Sequence, residues 1–125
     1  MSSIQVDFES RNAPLAEGEI EKFANLHLAT RKAKDVSAEI KIVGKKRIHA
    51  LNLEFMKRDY PTDVLSFPLP KIPGEKENNL QHIGTIILCS DIIKLNAGED
   101  GRSEREEFIF VLKHGLDHLL GIHHN

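Results

Sequence analysis

Alternating apolar and polar positions mark two segments in the first third of the chain. Ile4, Val6 and Phe8 alternate with polar residues in the first segment, and Val36–Val43 repeats the pattern. A period of two residues is typical of a half-buried β-strand, whereas a period of three to four predicts an amphipathic helix. In chain order, the pattern predicts a strand at 3–8, a helix at 14–31, a strand at 36–43, a helix at 46–56, strands at 64–67 and 83–89, a short helix at 91–97 and a final helix from 103 to about 120.

The order of these elements, βαβαββαα, predicts an α+β domain in which one small mixed sheet of about four strands is packed by helices. Residues 70–80 are polar and contain Pro and Gly, so we predict a loop there. A chain of 125 residues is long enough for one packed core and too short for two. We therefore expect a single domain that spans residues 1–125.

The final predicted helix carries a cluster of histidines. His114 and His118 are four residues apart, so they lie one above the other on the same helix face. Gly121 can adopt a positive φ, end the helix and let the chain fold back, which returns His123 or His124 to the same point. Three neutral imidazoles leave the fourth position of a zinc ion open for water, as in catalytic zinc sites. The spacing therefore predicts a metal-dependent hydrolase.

The alternative to a metal site is an incidental cluster of histidines or the remnant of an expression tag. A tag is disfavoured because apolar residues interrupt the histidines, and the spacing H-x3-H-x2-G-x2-H requires four positions to agree. On a helical wheel His114 and His118 lie beside Val111, on the shoulder of the apolar stripe, where they can line a cleft. His124 has the better spacing from His118, and His123 is the rival third ligand.

The histidine spacing matches the long zinc motif of the metzincin proteases, H-E-x-x-H-x-x-G-x-x-H, except at its second position. In those proteases a Glu directly after the first His is the general base that activates water. This chain has Gly115 at that position, which carries no side chain. Because peptide hydrolysis also needs a proton for a poor amine leaving group, the sequence disfavours a peptidase.

The net charge gives no general attraction to nucleic acid. With 17 basic and 19 acidic residues the formal net charge is −2, so any polyanion binding must come from local patches. Lysine and arginine contacts to phosphates would give a sequence-independent affinity for RNA, although a solvated helix and loop surface explains the same residues equally well. The best local basic set is Lys41, Lys45, Lys46, Arg47, Lys57 and Arg58.

Composition also bears on where the protein is found. Apolar residues make up 40% and charged residues 29% of the chain, which is ordinary for a globular domain. There is no run of about 18 apolar residues, and the first residues lack the layout of a signal peptide. The single cysteine, Cys89, excludes an internal disulfide and lies in an apolar run typical of a buried thiol. We expect a cytoplasmic protein that does not contact a membrane.

Two motifs, taken together, resemble those of a known family. They are His114-Gly115-x-x-His118-Leu119-x-Gly121-x-x-His124 and Pro61-Thr62-Asp63-Val64-Leu65-Ser66-Phe67-Pro68. From roughly residue 36 onward the chain is similar to the YbeY family of bacterial ribosomal RNA maturation endoribonucleases. The resemblance implies a zincin-like site on the C-terminal helix, in which His114, His118 and His124 hold one zinc ion. It also implies maturation of the 3′ end of 16S ribosomal RNA and ribosome quality control, with ribosomal RNA, the small ribosomal subunit and ribosome-associated proteins as partners.

The chain departs from the family pattern at three positions. The family usually has an Arg four residues after an Asn; here Asn52 is followed at that spacing by Met56, and Arg58 is the nearby candidate for the catalytic role. Thr85 stands where the family has Asp, and His123 stands where an Asp commonly precedes the third His. For RNA contact we single out Lys45, Lys46, Arg47, Lys57 and Arg58.

We therefore predict a single-strand-specific, zinc-dependent endoribonuclease. The first alternative is a metallopeptidase, and the second is a non-catalytic RNA-binding protein stabilised by a metal, which Met56 favours.

Asp117 is interpreted as a surface charge, because it points elsewhere on the helix than the histidines. Three other histidines have no ligand spacing and are interpreted as structural: His27, His49 and His82. Three residues either border the cleft or serve as turn and strand-end residues: Thr62, Asp63 and Ser66.

Overall fold

The computed structural model describes residues 2–70 and 79–123 of the chain. Its elements follow the predicted order of strands and helices. They are β1 (Ser3–Phe8), α1 (Glu17–Thr30), β2 (Val36–Val43), α2 (Lys45–Met56), β3 (Val64–Pro68), β4 (Gln81–Cys89), α3 (Ser90–Asp100) and α4 (Glu104–Leu119). The predicted loop at 70–80 lies mostly outside the described residues.

The four strands form one mixed sheet in the order β1-β2-β4-β3. β1 pairs in parallel with β2, and β2 pairs in parallel with β4. β3 is an edge strand that pairs antiparallel with β4, from Val64 opposite Leu88 to Pro68 opposite Gly84. The predicted α+β fold with a small mixed sheet is therefore confirmed.

The two faces of the sheet are packed unequally. Helices α1, α3 and α4 cover one face and share the larger hydrophobic core with it, while α2 covers part of the other face over a smaller core. Alternation along the strands assigns neighbouring residues to opposite cores, as with Ile42 and Val43 in β2. The larger core includes Ile40, Ile42, Ile86, Leu88, Phe108, Leu112 and Leu116. The smaller core contains Val43, Ile48, Leu51, Leu65, Ile87 and Cys89.

Capping groups decide where two of the helices begin. Helix α4 begins as its sequence predicts, because Ser103 Oγ accepts from the Glu106 N–H at 3.1 Å and the Glu106 carboxylate accepts from the Ser103 N–H at 3.0 Å. Helix α1 begins at Glu17, three residues later than the predicted start at position 14. There the Glu19 carboxylate accepts from the Ala16 N–H at 3.2 Å, so the first turn forms after Ala16.

Gly84 allows the last turn of α4 to approach the sheet. Its φ is +140°, and a Cβ at this position would overlap the Phe67 carbonyl oxygen and would lie 2.8 Å from Leu119 Cδ2. Any larger residue would push β3 or α4 away from β4. The glycine therefore brings the end of α4 close to the edge strand, which is where the candidate ligands lie.

Among the residues that the structure describes, the helices are all too short or too polar to cross a membrane.

Candidate metal centre

His114 and His118 project from one face of α4 as a pair. Their ring centroids are 4.9 Å apart, and the rings meet edge to face. Both side chains are half-buried, whereas Val111 beside them is buried in the larger core. The pair thus lines the margin of the core, with one side toward β3 and the other toward solvent.

Ser66 on β3 holds the second histidine of the pair. Its Oγ lies 3.2 Å from His118 Nδ1. In the tautomer with the proton on Nδ1, the ring donates to Ser66 and keeps the Nε2 lone pair for a ligand bond. Of the two interpretations for Ser66, the structure favours the residue that borders the cleft.

A glycine-terminated turn reverses the chain directly after α4. Gly121 has a φ of +78°, its N–H donates to the His118 carbonyl at 3.1 Å, and the Ile122 N–H donates to the Asp117 carbonyl at 2.8 Å. These two bonds form a Schellman motif, as the sequence predicts for a helix that stops at Gly121. The turn brings the His123 ring to 5.9 Å from the His118 ring. His124, the preferred third ligand, lies outside the described residues.

The donor atoms of the pair suit a transition metal. Neutral imidazole nitrogens are the common protein ligands of zinc and of several other divalent metals. Within residues 2–70 and 79–123, no group of three or more His, Cys, Asp or Glu side chains is arranged to hold an ion. His114 and His118 therefore fit two positions of the predicted metal site, whose predicted third ligand is His124.

Gly115 leaves no room for the base used by the zinc proteases. The residue is buried, and a Cβ there would lie 3.1 to 3.4 Å from three side-chain atoms of Ile86 on β4. A glutamate would have to extend into the core between α4 and the sheet. The contact explains in packing terms why this helix carries glycine directly after its first histidine.

Asp117 is not the surface charge that the sequence suggested. It is 3% exposed and accepts hydrogen bonds from Arg31 Nε and Nη2, both at 2.9 Å. His27 Nε2 lies 2.7 Å from the same carboxylate, and the bonding to Asp117 raises the pKa of the Arg31 guanidinium. The prediction failed because α1 packs over this side of α4. The spacing of His27 and Arg31, four residues apart on one helix, was the available signal.

A comparison with known families decides what kind of chain this is. The family model described as endoribonuclease YbeY matches residues 5–125. The chain belongs to the YbeY family.

Several members of the YbeY family resemble the chain over most of its length. The endoribonuclease YbeY of Aquifex aeolicus is 36% identical over 105 residues, which cover 84% of this chain and 67% of that protein. The endoribonuclease YbeY of Legionella pneumophila is 31% identical over 111 residues, 89% of this chain and 69% of the relative. The endoribonuclease YbeY of Alkalilimnicola ehrlichii is 36% identical over 85 residues, which cover 68% of this chain and 51% of that protein. The matched part of this chain thus spans about half to two thirds of the length of these curated relatives.

A solved structure has the same fold as this YbeY-family chain. The solution structure of TM1509 from Thermotoga maritima matches it with a TM-score of 0.61 and 27% sequence identity. The match covers 98% of this chain and 75% of the Thermotoga chain. It supports the fold assignment over nearly the whole sequence.

The basic residues singled out for RNA contact lie at the two ends of α2. Lys45, Lys46 and Arg47 are exposed on its first turn, and Arg47 Nε lies 3.6 Å from a Glu9 carboxylate oxygen. At about 1.5 Å per residue, this turn is roughly 17 Å from the other end of the helix. There the helix ends at exposed Lys57 with a φ of +60°, followed by exposed Arg58.

The second end of α2 packs on the edge strand β3, which also contacts His118. Phe55, in the last turn of α2, packs edge to face on Phe67 of β3 at 5.5 Å between ring centroids. Ser66, the preceding residue of β3, points to the opposite face and contacts His118. Lys57 and Arg58 follow this last turn of α2 directly, whereas Lys45 to Arg47 lie at the opposite end of the helix. Met56 is 40% exposed in the same last turn.

The segment before β3 is held by polar side chains. Asn52 is buried and donates from Nδ2 to the Tyr60 carbonyl at 2.8 Å. Thr62 Oγ1 donates to an Asp63 carboxylate oxygen at 3.3 Å, and Asn96 Nδ2 donates to the other oxygen at 3.4 Å. These contacts favour turn chemistry for Thr62 and Asp63.

The other histidines and the cysteine have structural surroundings. His49 Nε2 lies 2.8 Å from Asp59 Oδ1, and His82 Nδ1 lies 2.9 Å from Ser37 Oγ. Cys89 is fully buried, and burial raises the pKa of its thiol. A buried thiol with a raised pKa is a poor nucleophile, so the structural interpretation of Cys89 agrees with its place in the core.

Proposed function

We propose that this protein is a single-strand-specific, zinc-dependent endoribonuclease that acts in 16S ribosomal RNA 3′-end maturation and ribosome quality control. The observation that carries the proposal is the pair His114 and His118, half-buried on α4 and tied to the edge strand through Ser66. Membership of the YbeY family supports the reaction class. The ribosomal substrate, the cytoplasmic location and the partners, which are the small ribosomal subunit and ribosome-associated proteins, are proposed by analogy with that family.

His114, His118 and His124 would hold the ion, and Ser66 would fix the ring orientation of His118. A divalent ion in such a site supplies a nucleophile at neutral pH and stabilises charge on a phosphoryl oxygen. Arg58, exposed at the end of α2, would bind the phosphate backbone where the RNA passes the edge strand β3. Lys57 would add a second positive charge beside it. Lys45, Lys46 and Arg47 would bind the RNA farther from the scissile phosphate.

A peptidase is disfavoured by packing. A glutamate at position 115 would collide with Ile86, and the helix offers no carboxylate directly after His114. One observation supports a non-catalytic RNA-binding protein stabilised by a metal. Met56 stands where the resemblance implies an arginine, so a positive charge is missing from the last turn of α2.

Cleavage of a labelled single-stranded RNA by purified protein, with and without a chelator, tests the proposal. We expect cleavage that stops with the chelator, returns with zinc, and falls by about two orders of magnitude or more in His114→Ala and His118→Ala. His82→Ala is the matched control, because this histidine bonds to Ser37 and should leave cleavage unchanged. Chelator-insensitive cleavage, or chelator-sensitive digestion of casein without RNA cleavage, would contradict the proposal.

The third ligand can be tested by two neighbouring substitutions. We expect His124→Ala to lower zinc affinity by at least about tenfold, and His123→Ala to change it little, because three protein ligands complete a catalytic zinc site. Zinc affinity is measured by competition with a chromophoric chelator. The reverse order of effects would assign the ligand to His123, whose ring lies 5.9 Å from that of His118.

A further inference from the structure

An exposed phenylalanine lies one helical turn before the histidine pair. Phe110 is 50% exposed, and its ring centroid lies 6.1 Å from that of His114 with an angle of 31° between the planes. Residues four apart on a helix are neighbours on one face, so Phe110, His114 and His118 form a continuous row of rings along α4. This row extends the candidate site beyond its metal ligands.

Arg102 covers part of the Phe110 ring. Its guanidinium carbon lies 4.4 Å from the ring centroid, and Nη1 lies 3.6 Å from a Glu107 carboxylate oxygen. The contact with buried Glu107 places the guanidinium over the ring, where it packs on Phe110. Phe110 nevertheless remains half-exposed, so an ordered aromatic surface is available beside the histidines.

The charges around this surface decide what it can bind. Arg102 is surrounded by acidic groups, since Glu106 and Glu107 are both on the first turn of α4. A phosphate would therefore gain little electrostatic attraction at this surface, whereas a flat neutral ring can stack there without a net positive charge. Bases of single-stranded RNA stack on aromatic side chains and on arginine planes, and such stacking tolerates any base sequence. A base within a duplex has both faces already covered by its neighbours.

We propose that Phe110, held by Arg102, is a stacking site for one unpaired RNA base next to the phosphate at the histidine pair. The proposal rests on the proposed endoribonuclease function and adds a physical reason for single-strand specificity. A strand seated on Phe110 would be held beside His114, with its adjacent backbone running along α4. The site would select for unpaired RNA without reading its sequence.

Two oligonucleotides and two matched variants test the proposal. Binding of a labelled single-stranded RNA of about 12 nucleotides, and of the same backbone without bases, is measured by fluorescence anisotropy before cleavage proceeds. We expect Phe110→Leu to weaken binding of the RNA by about tenfold, to leave the abasic strand unaffected, and to keep the salt dependence unchanged. Phe110→Trp should bind at least as tightly as the wild type. Phe23→Leu, which removes the ring 5.6 Å from the Arg105 guanidinium on a different side of α4, is the control and should bind like the wild type.

The outcomes separate this proposal from the function on which it rests. If the wild type neither binds nor cleaves RNA, both proposals are overturned. Suppose instead that the wild type binds and cleaves RNA. If Phe110→Leu then leaves RNA binding unchanged, or weakens binding of RNA and of the abasic strand equally, the stacking proposal alone is wrong. A Phe110→Leu variant that binds RNA normally but loses a ribosomal protein partner would reassign this surface to protein contact.

Discussion

The two faces of the sheet differ in how tightly they constrain the residues singled out for function. On the α4 face, His114 and His118 are half-buried, and the second is bonded to Ser66. On the α2 face, the basic residues are exposed at both ends of one helix. Metal ligation requires donor atoms placed to a few tenths of an ångström, whereas phosphate attraction requires only charge at the right surface. The α4 face therefore meets the positional demand of metal ligation better, and the α2 face needs only to place charge for a polyanion.

Helix α4 is fixed in position by contacts on several sides. Gly115 lies directly on Ile86, Leu119 lies against Gly84, and Asp117 is bonded to α1. Each contact limits how the helix can slide or rotate, and so determines where the histidine rings point. Substitutions that disturb these contacts are expected to lower the free energy of unfolding much more than substitutions of the exposed basic residues.

The largest stability effect is expected at Gly115. Gly115→Glu should lower the free energy of unfolding by about 3 kcal/mol, because the side chain must displace Ile86 and bury a carboxylate. Gly115→Ala is the matched control. It should change the free energy of unfolding by no more than about 1 kcal/mol, because the better helix propensity of alanine offsets its tight methyl contact. Urea denaturation measures both. A Gly115→Glu protein with wild-type stability would mean that the helix does not pack as described.

A smaller loss is expected when the tie between α4 and α1 is weakened. Asp117→Asn should lower the free energy of unfolding by about 2 kcal/mol, because Arg31 and His27 lose a buried charged acceptor. Asp7→Asn, an exposed position on β1, should change it by less than about 0.5 kcal/mol. Equal effects of the two substitutions would mean that Asp117 contributes no more to stability than an exposed carboxylate.

Ser66 should affect metal affinity more than stability. Ser66→Ala removes the partner of His118 Nδ1 and should weaken zinc binding by about tenfold, the lower end of the range for such partners. The free energy of unfolding should fall by no more than about 1 kcal/mol, the usual value for one hydrogen bond. Ser66→Thr keeps the hydroxyl and should recover most of the affinity. Unchanged zinc affinity in Ser66→Ala would remove Ser66 from the site.

The smallest effects are expected on the α2 face, where they should depend on position. Lys57→Ala with Arg58→Ala should reduce RNA affinity several-fold and flatten its salt dependence by about one unit of slope per lost phosphate contact. Lys45→Ala with Lys46→Ala should reduce RNA affinity less, because these residues lie at the opposite end of α2 from the turn that packs on β3. A larger loss of RNA affinity from the second pair would mean that the RNA binds mainly at the first turn of α2.

Local patterns were sufficient to predict the order of elements and the histidine spacing. Period-two and period-3.6 patterns predict strands and helices directly. The largest differences in their bounds are three residues, at the start of α1, where the Glu19 carboxylate bonds to the Ala16 N–H, and at the end of α3, which extends to Asp100. The burial of Asp117 and the Ser66 contact to His118 join residues 86 and 52 positions apart. Such contacts depend on how helices pack on the sheet, which no local window contains. The separation of the basic residues, by contrast, follows from the helix predicted at 46–56, which puts Lys45 to Arg47 at one end and Lys57 and Arg58 at the other.

We expect His114 and His118 to be two ligands of one ion. Anomalous diffraction at the zinc absorption edge, from crystals of the wild-type protein grown with one equivalent of zinc, tests it most directly. We expect one strong peak, about 2.0 to 2.1 Å from a nitrogen of each ring, that is lost in crystals of His118→Ala. A wild-type map with its only peak elsewhere, or with no peak near α4, would contradict the account.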